Sequence, residues 1–213
     1  MALTPSTMLP LGTPLPFAAI QAALSSGAAL QVSGDPLDLA QLGRRPLLVL
    51  FICAHCPFVK HIEPELPRLE SDFAGTAPPR LDVLAISSNS TRTHPQDGPD
   101  GLRAQAAAHG WRFPYLLDAD QQLARAFRAA CTPDLFLFSP ARPSSDRSAQ
   151  LPLLVYRGQL DASRPGNGLP LDGADLRRAL AALQAGQPVP AEQQPAIGCN
   201  IKWHPGEEPE WAR

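Results

Sequence analysis

The sequence predicts an α/β fold with a central mixed sheet, an N-terminal extension and a C-terminal tail. Three observations predict it. Leu47–Ile52 is an unbroken apolar run and Leu81–Ser87 (LDVLAIS) reads as a second buried strand, as expected where both faces of a sheet are covered. Segments of helical spacing alternate with these runs. The last two predicted strands, Leu135–Phe138 and Leu153–Arg157, are joined by a polar, Pro-rich turn at Ser139–Gln150 and form a hairpin.

The elements follow in order. Residues 1–16 form an extended, Pro-punctuated lead-in. Phe17–Ser26 predicts a short helix, Ala29–Ser33 a strand, and Asp38–Leu42 a helical turn before Gly43. After the first apolar run, Phe58, Ile62, Leu66, Leu69 and Phe73 recur near the helical period, which predicts one helix over Pro57–Phe73. Pro57 suits its first turn, and Pro64 and Pro67 predict a kink inside it. Ser88–Gly98 is a polar loop near the strand ends. Asp100–His109 predicts a helix closed by Gly110, and Phe113–Leu117 a short strand. Asp118 is placed to cap a helix over Gln121–Ala130. A closing helix spans Gly173–Ala185. Residues 1–186 then form one domain, and residues 187–213 a tail that packs on it through Ile197, Ile201 and Trp203.

A chain of 213 residues can bury a full core without staples. Its net charge is −2 with no Lys/Arg block, which argues against nucleic acid or an anionic membrane as partner. No apolar run approaches the ~20 residues that cross a bilayer. The N-terminus lacks the basic start and apolar stretch of a secretory signal, so a cytoplasmic setting is expected, where structural disulfides are uncommon. The four cysteines, Cys53, Cys56, Cys131 and Cys199, therefore need another explanation.

Cys53-Ala54-His55-Cys56 lies between the strand Leu47–Ile52 and the helix that starts near Pro57. Free N–H groups at a helix N-terminus favour a thiolate. The sequence places that thiolate on Cys53, as the more exposed thiol, with Cys56 more buried and one turn on. A protonated His55 would favour it further. The pattern suits thiol–disulfide exchange, Cys53 attacking and Cys56 resolving. Metal binding is the rival, with Cys53, His55, Cys56 and His61 as ligands beside Cys131 or Cys199. Soft thiolates suit Cu(I), but the second ligand pair usual for zinc is missing.

Strand, Cys-x-x-Cys, Pro-bearing helix and a later Thr132-Pro133 before a strand resemble the thioredoxin fold over roughly residues 10–186. Cys53-Ala54-His55-Cys56-Pro57-Phe58-Val59-Lys60-His61, Ala130-Cys131-Thr132-Pro133-Asp134 and Tyr156-Arg157-Gly158-Gln159-Leu160-Asp161 are similar to the peroxiredoxin-like (AhpC/TSA-type, redoxin) branch of the thioredoxin-like superfamily. So are Ser163-Arg164-Pro165-Gly166-Asn167-Gly168 and Gly198-Cys199-Asn200-Ile201-Lys202-Trp203. The resemblance implies that Pro133 is the cis-proline facing the disulfide, that Thr132 offers its backbone to a substrate strand, and that Pro64 kinks the active-site helix. It also implies departures. The hydroxyl that peroxiredoxins place three residues before the reactive Cys is replaced by Cys53 or Leu50, and their Arg by Pro133. Dithiol exchange is favoured over strong peroxidase activity. His55 resembles the second variable residue of disulfide isomerases and oxidases, whose potentials run roughly −120 to −180 mV against −270 mV for thioredoxin.

The remaining polar residues read as structural. Cys131 is a core thiol or an alternative disulfide partner, Cys199 an idle tail thiol or third redox partner, Lys60 an exposed helix residue or a positive charge near the thiols, His61 solvent-side or capping, and Glu63 and Glu65 a solvated face. Asp161 and Arg164 form a loop network. The function expected is a thiol–disulfide oxidoreductase using Cys53, Cys56, His55, Thr132 and Pro133, with weak peroxide reduction as a variant. No cofactor is implied, and the partners are a dithiol or disulfide protein, a small thiol or a peroxide. The alternative is a copper- or zinc-binding protein using Cys53, His55 and Cys56.

Overall fold

The computed structural model describes residues 3–74, 81–141 and 151–212, so most of the turn expected at Ser139–Gln150 lies outside the described residues. Strand β3, Leu47–Phe51, is central because both its faces are apolar. Leu48 and Leu50 enter one core cluster, while Leu47, Val49 and Phe51 enter the other. Parallel to β3 runs β4, Asp82–Ser87, then β5, Tyr115–Asp118, with the antiparallel β2, Ala29–Ser33, at the edge. On the other side lie β7, Asp134–Phe138, and β8, Leu154–Gly158, antiparallel as the expected hairpin. This is the central mixed sheet that the sequence predicts, in the order β2-β5-β4-β3-β7-β8.

Helices cover both faces. Ile20 and Ala23 of α1, Phe17–Ser26, and Leu123 and Phe127 of α5, Gln122–Phe127, pack on one. Four helices cover the other: α2, Pro57–Ile62; α3, Leu66–Ala74; α4, Pro99–His109; and α6, Ala174–Gln184. Each fully buried Leu or Ile in these layers contributes about 1.5–3 kcal/mol.

Three details differ from the sequence reading. The single kinked helix is two helices. Pro64 has no N–H for the Lys60 carbonyl, so the ladder stops, Glu65 N–H turns back to the Ile62 carbonyl at 3.0 Å, and α3 restarts at Leu66. Pro67 then falls in a first turn, where it costs little. Helix α5 is shorter at both ends than expected, but Asp118 does cap it, accepting from Leu123 N–H at 3.2 Å and Ala124 N–H at 3.0 Å. The lead-in and tail build a second sheet. In it β9, Ile197–Asn200, lies between β1, Leu3–Pro5, and β6, Cys131–Thr132. Of the tail residues expected to pack inward, Ile201 and Trp203 are buried and Ile197 is exposed.

Candidate active site

The Cys53–Cys56 segment is the junction of β3 and α2. Cys56 is the N-cap of α2 in extended conformation, and Pro57 follows at the first helical position. The Thr132–Pro133 peptide is cis and faces both sulfurs. Cys53 Sγ lies 3.7 Å from Thr132 Oγ1, and the Cys56 thiol donates to the Thr132 carbonyl at 3.1 Å. The expectation that Cys53 is the more exposed thiol fails, since both cysteines are 0% exposed.

The two thiols are pushed in opposite directions. Cys56 is lowered to about 4, chiefly because the Cys53 thiol donates to it. Burial opposes this, while the Thr132 side chain, the Cys199 thiol and the Val59 N–H add to it. Val59 N–H belongs to the first turn of α2, so the helix terminus acts on Cys56 and not on Cys53. The contact with the Thr132 carbonyl is one that only the thiol form makes. Cys53 is pushed up, because it is the donor to Cys56, is buried, and faces the Asp97 carboxylate.

Asp97 also changes the role of His55. The His55 Nδ1–H donates to Asp97 Oδ2 at 2.6 Å and lies 3.8 Å from Cys53 Sγ. A carboxylate only accepts, so Nδ1 carries the proton. Asp97 also accepts from Asn89 Nδ2 at 2.8 Å, Ala54 N–H at 2.9 Å and His55 N–H at 3.2 Å. Burial raises its pKa, but these donors hold it below the usual carboxylate range. His55 is thus matched by an anion and does not act as a free cation beside Cys53. Its ring stacks on His94 at 5.0 Å. Asp97 was missed by the sequence reading, which placed the Ser88–Gly98 loop at the strand ends but singled out no residue in it. Cys53, His55 and Asp97 bring three metal-ligand atoms within 4.8 Å of one another, in place of the expected Cys53, His55 and Cys56 set.

Glu63 and Glu65 are not a solvated face, being 3% and 2% exposed. Glu63 accepts from Gln105 Nε2 at 2.7 Å, His109 Nε2 at 2.8 Å and Lys60 Nζ at 3.0 Å. Gln105 Nε2 also donates to the Cys53 carbonyl at 3.0 Å, and Tyr115 Oη–H donates to Gln105 Oε1 at 3.0 Å. This network ties the Cys53 carbonyl to Glu63 and Tyr115 through Gln105. Glu65 pairs with Arg177 at 2.6 Å. His61 meets Ser163 Oγ at 2.7 Å, away from the thiols. Asp161 accepts backbone N–H groups of Ser163, Asp172 and Gly173, the expected loop network, and Arg164 closes it through the Asp161 carbonyl.

Cys131 is a core thiol donating to the Pro133 carbonyl at 3.6 Å, pushed well up by burial and by Asp134. Cys199 is not idle. It pairs with Thr132 across β6 and β9, is 2% exposed, and donates to the Cys56 sulfur. Burial and that contact push it up to about 12. The Thr132 backbone, expected to be open to a substrate strand, is therefore taken by the chain's own tail. Gly198 permits this approach, since a Cβ there would lie 2.0 Å from the Thr132 carbonyl oxygen.

The sequence pattern of the AhpC/TSA family matches residues 19–142. The chain is 39% identical to an uncharacterized conserved protein from Geobacillus kaustophilus, with a TM-score of 0.78 and coverage of 97% of this chain and 98% of that one. It is also 39% identical to a hypothetical protein from Sinorhizobium meliloti, with a TM-score of 0.77 and coverage of 95% and 100%. A secreted Mycobacterium tuberculosis disulfide oxidoreductase shares the fold at 16% identity and a TM-score of 0.50, with coverage of 74% and 93%. No curated protein matches the chain.

Proposed function

This chain belongs to the AhpC/TSA family, and we propose that it is a thiol–disulfide oxidoreductase whose redox pair is Cys53 and Cys56. The observation that carries this reading is the buried dithiol at the start of α2, set against the cis Thr132–Pro133 peptide, with the Cys56 thiol pushed down and the Cys53 thiol pushed up. In the reducing direction the Cys56 thiolate attacks a substrate disulfide and expels one thiolate. That step removes the negative charge beside Cys53. Cys53 then gives up its proton and attacks the Cys56 sulfur, closing the Cys53–Cys56 disulfide and releasing the second thiol. The order is the reverse of the sequence expectation, in which Cys53 attacked first. His55 and Asp97 orient the loop through the Ala54 and His55 N–H groups. The substrates proposed are a disulfide protein or a small disulfide, with a dithiol protein or small thiol returning the electrons. A cytoplasmic setting would keep such thiols reduced.

The test is turnover of a small disulfide with glutathione as reductant. Cys56→Ser removes turnover entirely. Turnover that survives in Cys56→Ser and is lost in Cys53→Ser would restore Cys53 as the attacking thiol. Peroxide reduction is a minor variant of the same chemistry and is expected to vanish in Cys56→Ser as well.

A second reading, metal binding, is favoured by the Cys53, His55 and Asp97 cluster. It carries a cost, because the Asp97 oxygens already accept four hydrogen bonds that a metal would disturb. Stoichiometric zinc or copper in protein purified without chelator would support it.

A further inference from the structure

The tail does more at this site than pack. Strand β9 lies antiparallel to β6, with Cys199 opposite Thr132 and Asn200 opposite Cys131. The Thr132 carbonyl under Gly198 is the same group that the Cys56 thiol touches at 3.1 Å. The Thr132 hydroxyl lies 3.7 Å from Cys53 Sγ. One residue thus gathers the Cys53–Cys56 pair and the distant Cys199, and all three belong to one buried cluster. The tail is fastened on both sides of Cys199. Leu3 of β1 pairs with Cys199 itself. Ile201 N–H donates to the Ala130 carbonyl at 2.9 Å, and Lys202 N–H to Asn89 Oδ1 at 2.8 Å. Asn89 in turn donates to Asp97, which places the tail and the reactive loop on one hydrogen-bonded frame.

We propose that Cys199 is a third redox thiol, held by the tail strand beside Cys56 and able to form a Cys56–Cys199 disulfide. The proposal rests on the dithiol reading above and extends it. The step is an exchange. The Cys56 thiolate attacks a disulfide R–S–S–R, forming a Cys56–S–S–R bond and expelling RS⁻. Cys199 then loses its proton and attacks the Cys56 sulfur, displacing the second RS⁻, which takes up that proton. Cys56 and Cys199 are together oxidised by two electrons, and the external disulfide is reduced to two thiols. Loss of the charge on Cys56 in the first step removes a main reason for Cys199 to hold its proton. The chain can thereby close a second disulfide on Cys56 when Cys53 is unavailable.

The experiment treats the full-length Cys53→Ser protein with oxidised glutathione, alkylates the remaining thiols, and maps disulfides by peptide mass. The expected result is the loss of two alkylatable thiols and a linked pair of peptides carrying Cys56 and Cys199. In Cys53→Ser/Cys199→Ser the Cys56–glutathione adduct should accumulate instead. A persistent Cys56–glutathione adduct in Cys53→Ser, or a bridge from Cys56 to Cys131, overturns the proposal. If Cys53→Ser does not fold, brief oxidation of the unmutated protein followed by acid quenching serves in its place. A Cys56–Cys199 peptide beside the Cys53–Cys56 one supports the proposal, and its absence overturns it. The dithiol reading fails separately, if the unmutated protein forms no Cys53–Cys56 disulfide.

Discussion

Among single residues, Cys53 and Cys56 draw their electrostatics from groups far away in the chain. Two cysteines at a strand-to-helix junction can be read from spacing alone. Which of them ionises depends on Val59 N–H, Cys199 and Asp97, and only folding brings the last two to the pair. Cys53→Ala removes the largest lowering influence on Cys56, so the Cys56 thiolate should form at a higher pH, read as a shift in the pH profile of alkylation followed by ultraviolet thiolate absorbance. Unchanged titration would mean that Cys53 is not its donor. Asp97→Asn removes a negative charge beside Cys53, so the Cys53 thiol should ionise at a lower pH than in the unmutated protein. The same change weakens the bonds to the Ala54 and His55 N–H groups and should destabilise the fold by about 1–3 kcal/mol in urea unfolding.

At the scale of elements, the main-sheet strands were legible because burial on two faces leaves a continuous apolar run, as in Leu47–Phe51. Strands β1, β6 and β9 were not. They have two to four residues each, and Leu3 finds its partner at Cys199, a pairing that no local pattern encodes. Pro64 was legible as a disturbance but not as a full break. Glu63 and Glu65 were misread because their partners, Gln105, His109 and Arg177, come from α4 and α6. The prediction at this scale concerns the tail. Gly198→Ala places a methyl group against the Thr132 carbonyl, a contact that the backbone must move to relieve. We expect a loss of about 1–3 kcal/mol in stability together with faster alkylation of Cys199. Alkylation as slow as in the unmutated protein would show that the tail does not depend on this close approach.

At the scale of the whole molecule, Asp134 stores a pH dependence. It directly follows the cis-proline, is fully buried, and neither of its oxygens closes a hydrogen bond among the described residues. Burial pushes its carboxyl well up. With the folded pKa raised, the unfolded chain ionises first. The stability is then complete below the unfolded pKa of about 3.9 and falls as pH rises toward the folded value. Asp134→Asn should flatten the change in urea midpoint over that range, and equal slopes in the two proteins would count against this assignment. The central claim concerns Cys53 and Cys56 themselves. The most direct test equilibrates the protein in a series of thiol/disulfide buffers, traps it with an alkylating agent, and counts free thiols at each cysteine by mass spectrometry. Cys53 and Cys56 should become protected together, as one two-electron couple. Thiols that stay alkylatable at every ratio, or that are blocked until a chelator is added, would contradict it.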